Sequence, residues 1–92
     1  MSEPAYRVVF RSPARRVIAD QLPEAVAAAV LEFCAVPLSE NPHRVGKALL
    51  GPLAGLHGAR RSTYRIVYLI DDEHHVVDVV DIAHRGDIYR RR

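Results

Sequence analysis

The chain has one cysteine, one lysine and no apolar run near the roughly 20 residues that a membrane span requires. Each scarcity excludes something. Cys34 has no second thiol with which to close an intrachain disulfide. It stands in an alanine-rich run, where a buried thiol packs as a small apolar side chain, so a reducing, cytoplasmic setting is expected. Residues 1–10 lack the basic start and apolar stretch of a secretory leader, and neither secretion nor membrane insertion is expected. At 92 residues there is room for one domain and none for a second catalytic one. Repeats and low-complexity linkers are absent. What is present is globular in balance: 49% hydrophobic and 26% charged residues, far from the composition of a disordered chain.

The net charge is only +2, but the thirteen basic residues are twelve arginines and Lys47. Their placement is uneven. Arg60, Arg61 and Arg65 precede the acidic stretch Asp71 to Glu73, and Arg85, Arg90, Arg91 and Arg92 follow it. A guanidinium binds phosphate through a planar two-pronged contact, so the cluster reads either as an RNA-backbone footprint or as a solvated arginine surface.

Tyr6, Val8 and Phe10 recur with the period of two of a strand buried on one face, giving a first strand over Tyr6 to Phe10. Ser12-Pro13 reads as a helix start, because serine can cap free amides and proline has none to leave unpaired. Ala14, Val17, Ile18 and Leu22 form the stripe of a first helix, which Leu22-Pro23 interrupts. Val26, Ala29, Val30 and Phe33 form that of a second helix from Pro23 to about Val36, with Glu24 at its positive end and Pro37 and Asn41-Pro42 as terminators. From Ser39 to Gly58 the glycines at 46, 51, 55 and 58 predict mostly connection, with a short helical turn around Val45 to Leu49. Arg61 to Ile70 reads as one strand with Tyr64, Ile66, Tyr68 and Ile70 on the core face. Asp71 to His74 makes a turn, and Val76 to Ala83 is a β-branched partner strand. Gly86-Asp87 offers a cap to a short arginine-rich end, Ile88 to Arg92.

This order predicts an α+β domain, β-α-α-β-β-β with a short C-terminal turn or helix, in which two N-terminal helices pack on one face of a small antiparallel sheet. The other face stays open. Such a surface suits a polymer better than a small ligand, for which so short a chain has little enclosed room. Asp71, Asp72, Glu73, His74 and His75 gather possible metal ligands at one turn, but neighbouring side chains on a turn diverge and no i, i+4 pair is present, so neither metal nor cofactor is expected.

Two segments narrow the family: Arg61-Ser62-Thr63-Tyr64-Arg65-Ile66-Val67-Tyr68 and Ile82-Ala83-His84-Arg85-Gly86-Asp87-Ile88-Tyr89. Together with the opening strand, Pro13-Ala14 and Leu22-Pro23, they resemble the RelE/ParE superfamily of small bacterial toxins over nearly the whole chain. The resemblance implies a toxin of a type II toxin-antitoxin system. It further implies a ribosome-dependent mRNA endonuclease, restrained by a RelB-like antitoxin in a hetero-oligomer. The superfamily also holds ParE-type inhibitors of DNA gyrase that cut no RNA, and a degenerate, inactive relative is a third possibility. The spacing of Arg85 and Tyr89 resembles the RNA-cleaving branch, whose matching arginine and tyrosine belong to the active site. RNA-cleaving members carry lysines on the strand before the Tyr-Arg motif, where this chain has Leu56, His57, Gly58, Ala59 and Arg60.

Metal-free RNA cleavage uses the neighbouring 2′-hydroxyl as nucleophile. The protein must take its proton, neutralise a phosphorane-like transition state and protonate the departing 5′-oxygen. Arg65 and Arg85 suit the second role, being permanently charged with aimed donors. Asp81, opposite or diagonal to Arg65, would either hold its guanidinium or make a simple cross-strand pair. Tyr89 would stack on a base, sit beside the hydroxyl, or merely anchor the last turn. His84 has a suitable pKa for proton transfer but alternates away from Arg85 along a strand. Arg60 and Arg61 are candidate phosphate contacts, and Lys47 a candidate base or phosphate contact.

Overall fold

The computed structural model describes residues 5–84, so the expectations for Arg85, Tyr89 and the Gly86 to Arg92 end lie outside the described residues. Strand β1 (Arg7–Phe10) leads into α1 (Ser12–Asp20) and α2 (Glu24–Phe33), and a short helix α3 (Pro42–Val45) precedes β2 (Lys47–Ala48). Then come β3 (His57–Arg61), β4 (Tyr64–Asp71) and β5 (Val76–His84). The five strands form one sheet in the order β1-β5-β4-β3-β2. No helix among the described residues is long and apolar enough to cross a membrane.

The sheet is antiparallel from β2 to β5, as expected, but β1 pairs parallel to β5. The connection explains the difference. The chain leaves β1, crosses the sheet through the helical layer, and returns by three antiparallel pairings that leave β5 pointing the same way as β1; a parallel neighbour requires a long crossover of this kind.

The helices follow their apolar stripes. Ala14 and Val17 of α1 and Val30 and Phe33 of α2 are buried, with Ile18, Leu22 and Val26 packed beside them. Ser12 is not the cap: Arg11 takes that position without a side-chain bond, and Ser12 Oγ instead accepts a bond from Arg15 Nη2 at 3.3 Å. Pro37 does not end the second helix either. The backbone widens into a π-helical turn over Cys34–Leu38, which accommodates a residue with no amide to donate and a ring that would collide with the carbonyl one α-turn earlier. The single turn expected near Val45 to Leu49 falls at α3 instead, where Pro42 supplies the first-turn geometry.

The expected strand over Arg61 to Ile70 begins at Tyr64 instead, and Arg61 ends a separate strand, β3, whose start at His57 lies in the stretch expected to be mostly connection. Ser62 adopts a φ of 58° and turns the chain between Arg61 and Tyr64, which stand opposite one another at the end of the β3–β4 hairpin. Beyond it, Ile66 and Tyr68 are buried under the helices with Tyr64 and Ile70 packed against them. On β5 the alternation slips. Val67 opposes Asp81 but Tyr68 opposes Val79, so a bulge interrupts the ladder, and Val77, Val79 and Ile82 all reach the core while Asp81 does not. On the reverse face, Leu49, Val67 and Ala83 form a smaller buried cluster with Leu53, Leu56 and Val80.

Two tyrosines tie the connections to this scaffold. The buried Tyr68 hydroxyl donates to the Pro42 carbonyl oxygen at 2.7 Å, fixing the start of α3 above the sheet, and burial pushes its pKa up to about 12. Tyr6 donates to Asp72, which also meets His43 Nε2 at 2.9 Å, so the residue before β1, α3 and the β4–β5 turn share one carboxylate. His57 stacks on Tyr68 with ring centroids 5.6 Å apart, and its Nδ1 is shielded without a hydrogen-bond partner. Burial, reinforced by nearby His43 and opposed by Asp72, lowers its pKa below the ordinary 6.5. The unfolded chain therefore takes up this proton at higher pH than the folded one, and the associated stability is complete above pH 6.5 and lost as the pH falls from there. Thermal denaturation should show the melting temperature falling between about pH 7 and 5 more steeply for the native chain than for His57→Phe.

Candidate nucleic-acid interface

The β3–β4 hairpin sets Arg60 directly opposite Arg65, which places both side chains on the face away from α1 and α2. Like charges at opposed sheet positions repel. One row along, Lys47 of edge strand β2 stands opposite Gly58. Arg44, in the last turn of α3, completes the group. Arg44, Lys47, Arg60 and Arg65 line one groove of about 470 Å³, and no carboxylate lines it with them. Arg65 is partly buried and the other three cations are exposed.

Two glycines shape this groove. At Gly58 an added Cβ would stand 3.1 Å from both Arg65 Cδ and Leu49 Cδ2, so the bare backbone is the floor across which the Arg65 stem lies. At Gly46 a Cβ would overlap the Tyr68 hydroxyl and come within 2.7 Å of the Gly58 carbonyl oxygen. The segment carrying Arg44 and Lys47 can thus close on β3 only through a residue with no side chain.

Of the residues singled out from the sequence, Lys47, Arg60 and Arg65 come together. Arg61 does not join them. Alternation turns it to the helix side, where its guanidinium carbon lies 3.8 Å from the centroid of the Phe33 ring and Nη1 donates to the Arg60 carbonyl at 2.6 Å. His84 opposes Tyr64, whose ring it meets edge-on at 5.5 Å, on the helix side as well. Asp81 is diagonal to Arg65, since Ala83 is the residue directly opposite, and its Oδ1 accepts the Ile82 amide at 2.8 Å. Arg44 was not anticipated. The available signal was its spacing of three from Lys47 between Pro42 and Gly46, on either side of a turn.

The acidic and histidine residues of the β4–β5 turn separate into pairs: Asp71 with His74 at 2.9 Å, and Asp72 with His43. Among the described residues no group of three or more such side chains converges as metal ligands would. The groove's chemistry is that of positive charge on the sheet face away from α1 and α2.

The chain matches the family model described as ParE toxin of type II toxin-antitoxin system, parDE, over residues 6–89. It is 51% identical over 85 residues to the toxin RelE of Mycobacterium tuberculosis (strain ATCC 25618 / H37Rv), covering 92% of this chain and 87% of that protein. It is also 51% identical over 86 residues to the toxin RelG of the same organism, covering 94% of this chain and 98% of that protein. Among solved structures, it superposes on a chain of the M. tuberculosis toxin-antitoxin complex RelBE2 with a TM-score of 0.82 at 48% identity, covering 88% of this chain and 99% of that one. Sequence and fold agree over nearly the full length, and the chain belongs to the ParE toxin family of type II toxin-antitoxin systems.

Proposed function

We propose that this protein is a toxin that cleaves mRNA within the ribosome, restrained by a RelB-like antitoxin. The observation that carries the reading is the groove of Arg44, Lys47, Arg60 and Arg65, free of carboxylates among its lining residues and open along the sheet. A strand of phosphates is the ligand that such a surface neutralises. The kinship with RelE and RelG, and with a toxin solved in complex with its antitoxin, supports both the activity and the partner.

Arg65 stabilises the charge that builds on the phosphodiester, with Arg85 as its second guanidinium and Tyr89 placing the substrate; the latter two assignments rest on the family motif. Lys47, Arg60 and Arg44 grip the flanking backbone. The groove is shallow, and the ribosome supplies the in-line geometry that an open surface cannot impose on a flexible strand. Proton transfer from the 2′-hydroxyl falls to Lys47 or to the terminal segment, because His57 and His84 lie on the helix side.

Binding to a short single-stranded RNA should weaken with salt, and Arg60→Ala should flatten the slope of log K against log salt by about 0.7, the share of one phosphate contact. Fluorescence titrations at several ionic strengths check this, and an unchanged slope would remove Arg60 from the interface. For the function as a whole, the chain expressed alone should arrest growth and its neighbouring gene product should relieve the arrest. Purified gyrase should supercoil DNA normally in its presence. Gyrase inhibition with messages left intact would establish the ParE-type activity instead.

A further inference from the structure

The groove has an apolar rim beside its cations. Val45, Ala48 and Leu50 line it too, and Leu50 is 80% exposed, against 38% to 49% for the other exposed large hydrophobic residues, Leu31, Val36 and Leu69. This outward position is braced. Leu49, Leu53 and Leu56 of the same loop turn inward onto Val67, Ala83 and Val80, the Leu49 amide donates to the Leu56 carbonyl at 2.8 Å, and the Ala54 amide closes the turn on the Gly51 carbonyl at 3.0 Å. Three leucines of the loop therefore anchor the fourth at the mouth of the groove.

We propose that Leu50 is a nucleobase-contacting residue, covering the face of an unstacked base whose phosphates lie against Lys47 and Arg60. The proposal rests on the reading of the groove as an RNA site. Cations hold a backbone without regard to its bases, so a strand bound by charge alone would leave each splayed base with both faces in water. Among the described residues no aromatic side chain lines the groove, and Leu50 is the one large apolar side chain at its rim exposed enough to cover such a face. The contact buries more area with a purine than with a pyrimidine and engages no base edge, so it favours purines without reading a sequence.

The test compares two polymers of equal length, an oligoadenylate and an abasic ribose-phosphate oligomer, binding to the purified full chain at low salt. Leu50→Ala and Leu50→Ser should weaken oligoadenylate binding about fivefold and leave abasic binding unchanged. Arg60→Ala should weaken both. Melting temperatures of the Leu50 variants should match the native chain, as expected for a side chain that packs on little. Equal losses for the two polymers, or none for either, would overturn the base contact while the response to Arg60→Ala keeps the RNA site. A native chain that binds neither polymer would overturn both. Unaltered oligoadenylate affinity combined with weakened binding of a protein partner would likewise overturn the proposal and make Leu50 part of a protein interface.

Discussion

Arg65→Ala is expected to slow cleavage of mRNA on programmed ribosomes by a factor of about 100 to 1,000, the range seen when one aimed donor to a developing oxyanion is removed. The expectation comes from how this side chain is held. Its stem crosses the bare backbone of Gly58, and it is partly buried where Arg44, Lys47 and Arg60 are exposed, so its head group starts with less freedom to lose than theirs. Arg65→Lys should recover only part of the rate, because an ammonium keeps the charge but not the planar pair of donors. Single-turnover cleavage of a message positioned in the ribosome separates this from binding. Arg65→Ala should lower the rate at saturating toxin, whereas Arg60→Ala should raise the concentration needed for half-maximal rate. A rate unchanged in Arg65→Ala would leave the groove a binding surface only.

Gly46→Ala is expected to lower stability by about 2–3 kcal/mol, the upper part of the range for overpacking a closed site. For a domain of this size that is a fall in melting temperature on the order of 10–20 °C. The added methyl would meet two obstacles that cannot both retreat: the Tyr68 hydroxyl, held by Pro42 at 2.7 Å, and the carbonyl of Gly58 in the neighbouring strand. The double substitution Gly46→Ala with Tyr68→Phe should recover little, since the Gly58 carbonyl remains and the Pro42 carbonyl loses its buried donor. Because Gly46 lies between Arg44 and Lys47, the folded fraction of the variant should also bind RNA more weakly. Calorimetry of the native chain and the two variants measures the stability, and a Gly46→Ala melting temperature within a few degrees of native would contradict the close packing described.

The core was legible in the sequence because its signals are local. Tyr64, Ile66, Tyr68 and Ile70 alternate and share the helix-covered face, and the stripes of Ala14 and Val17, then Val30 and Phe33, face them. What was not legible depends on partners distant in sequence. Ser62 turns the chain at a φ of 58° without the glycine that usually marks such a place, so the turn was read as the start of β4 and most of β3 fell outside the expected strands. The bulge that carries Asp81 out of the core alternation is a matter of pairing between β4 and β5, and the parallel placement of β1 is a matter of where the crossover lands. The Pro37 signal was real but was answered by a wider turn rather than a stop.

The groove divides along the same line. Residue type and the family motif singled out Lys47, Arg60 and Arg65, yet their convergence follows from two register facts, Arg60 opposite Arg65 and Lys47 opposite Gly58. Arg61 looked equivalent to Arg60 by composition. One step along a strand reverses the face, and its charge ends over Phe33 instead. Arg44 escaped notice because its position depends on a single helical turn packed against β3 through Gly46.

Mapping of RNA 5′ ends in cells expressing the chain tests the central claim most directly. New ends should accumulate inside the codons of translated messages, spare the same messages when their start sites are blocked, and disappear with Arg65→Ala. Intact messages in growth-arrested cells, or ends that persist in Arg65→Ala, would contradict it.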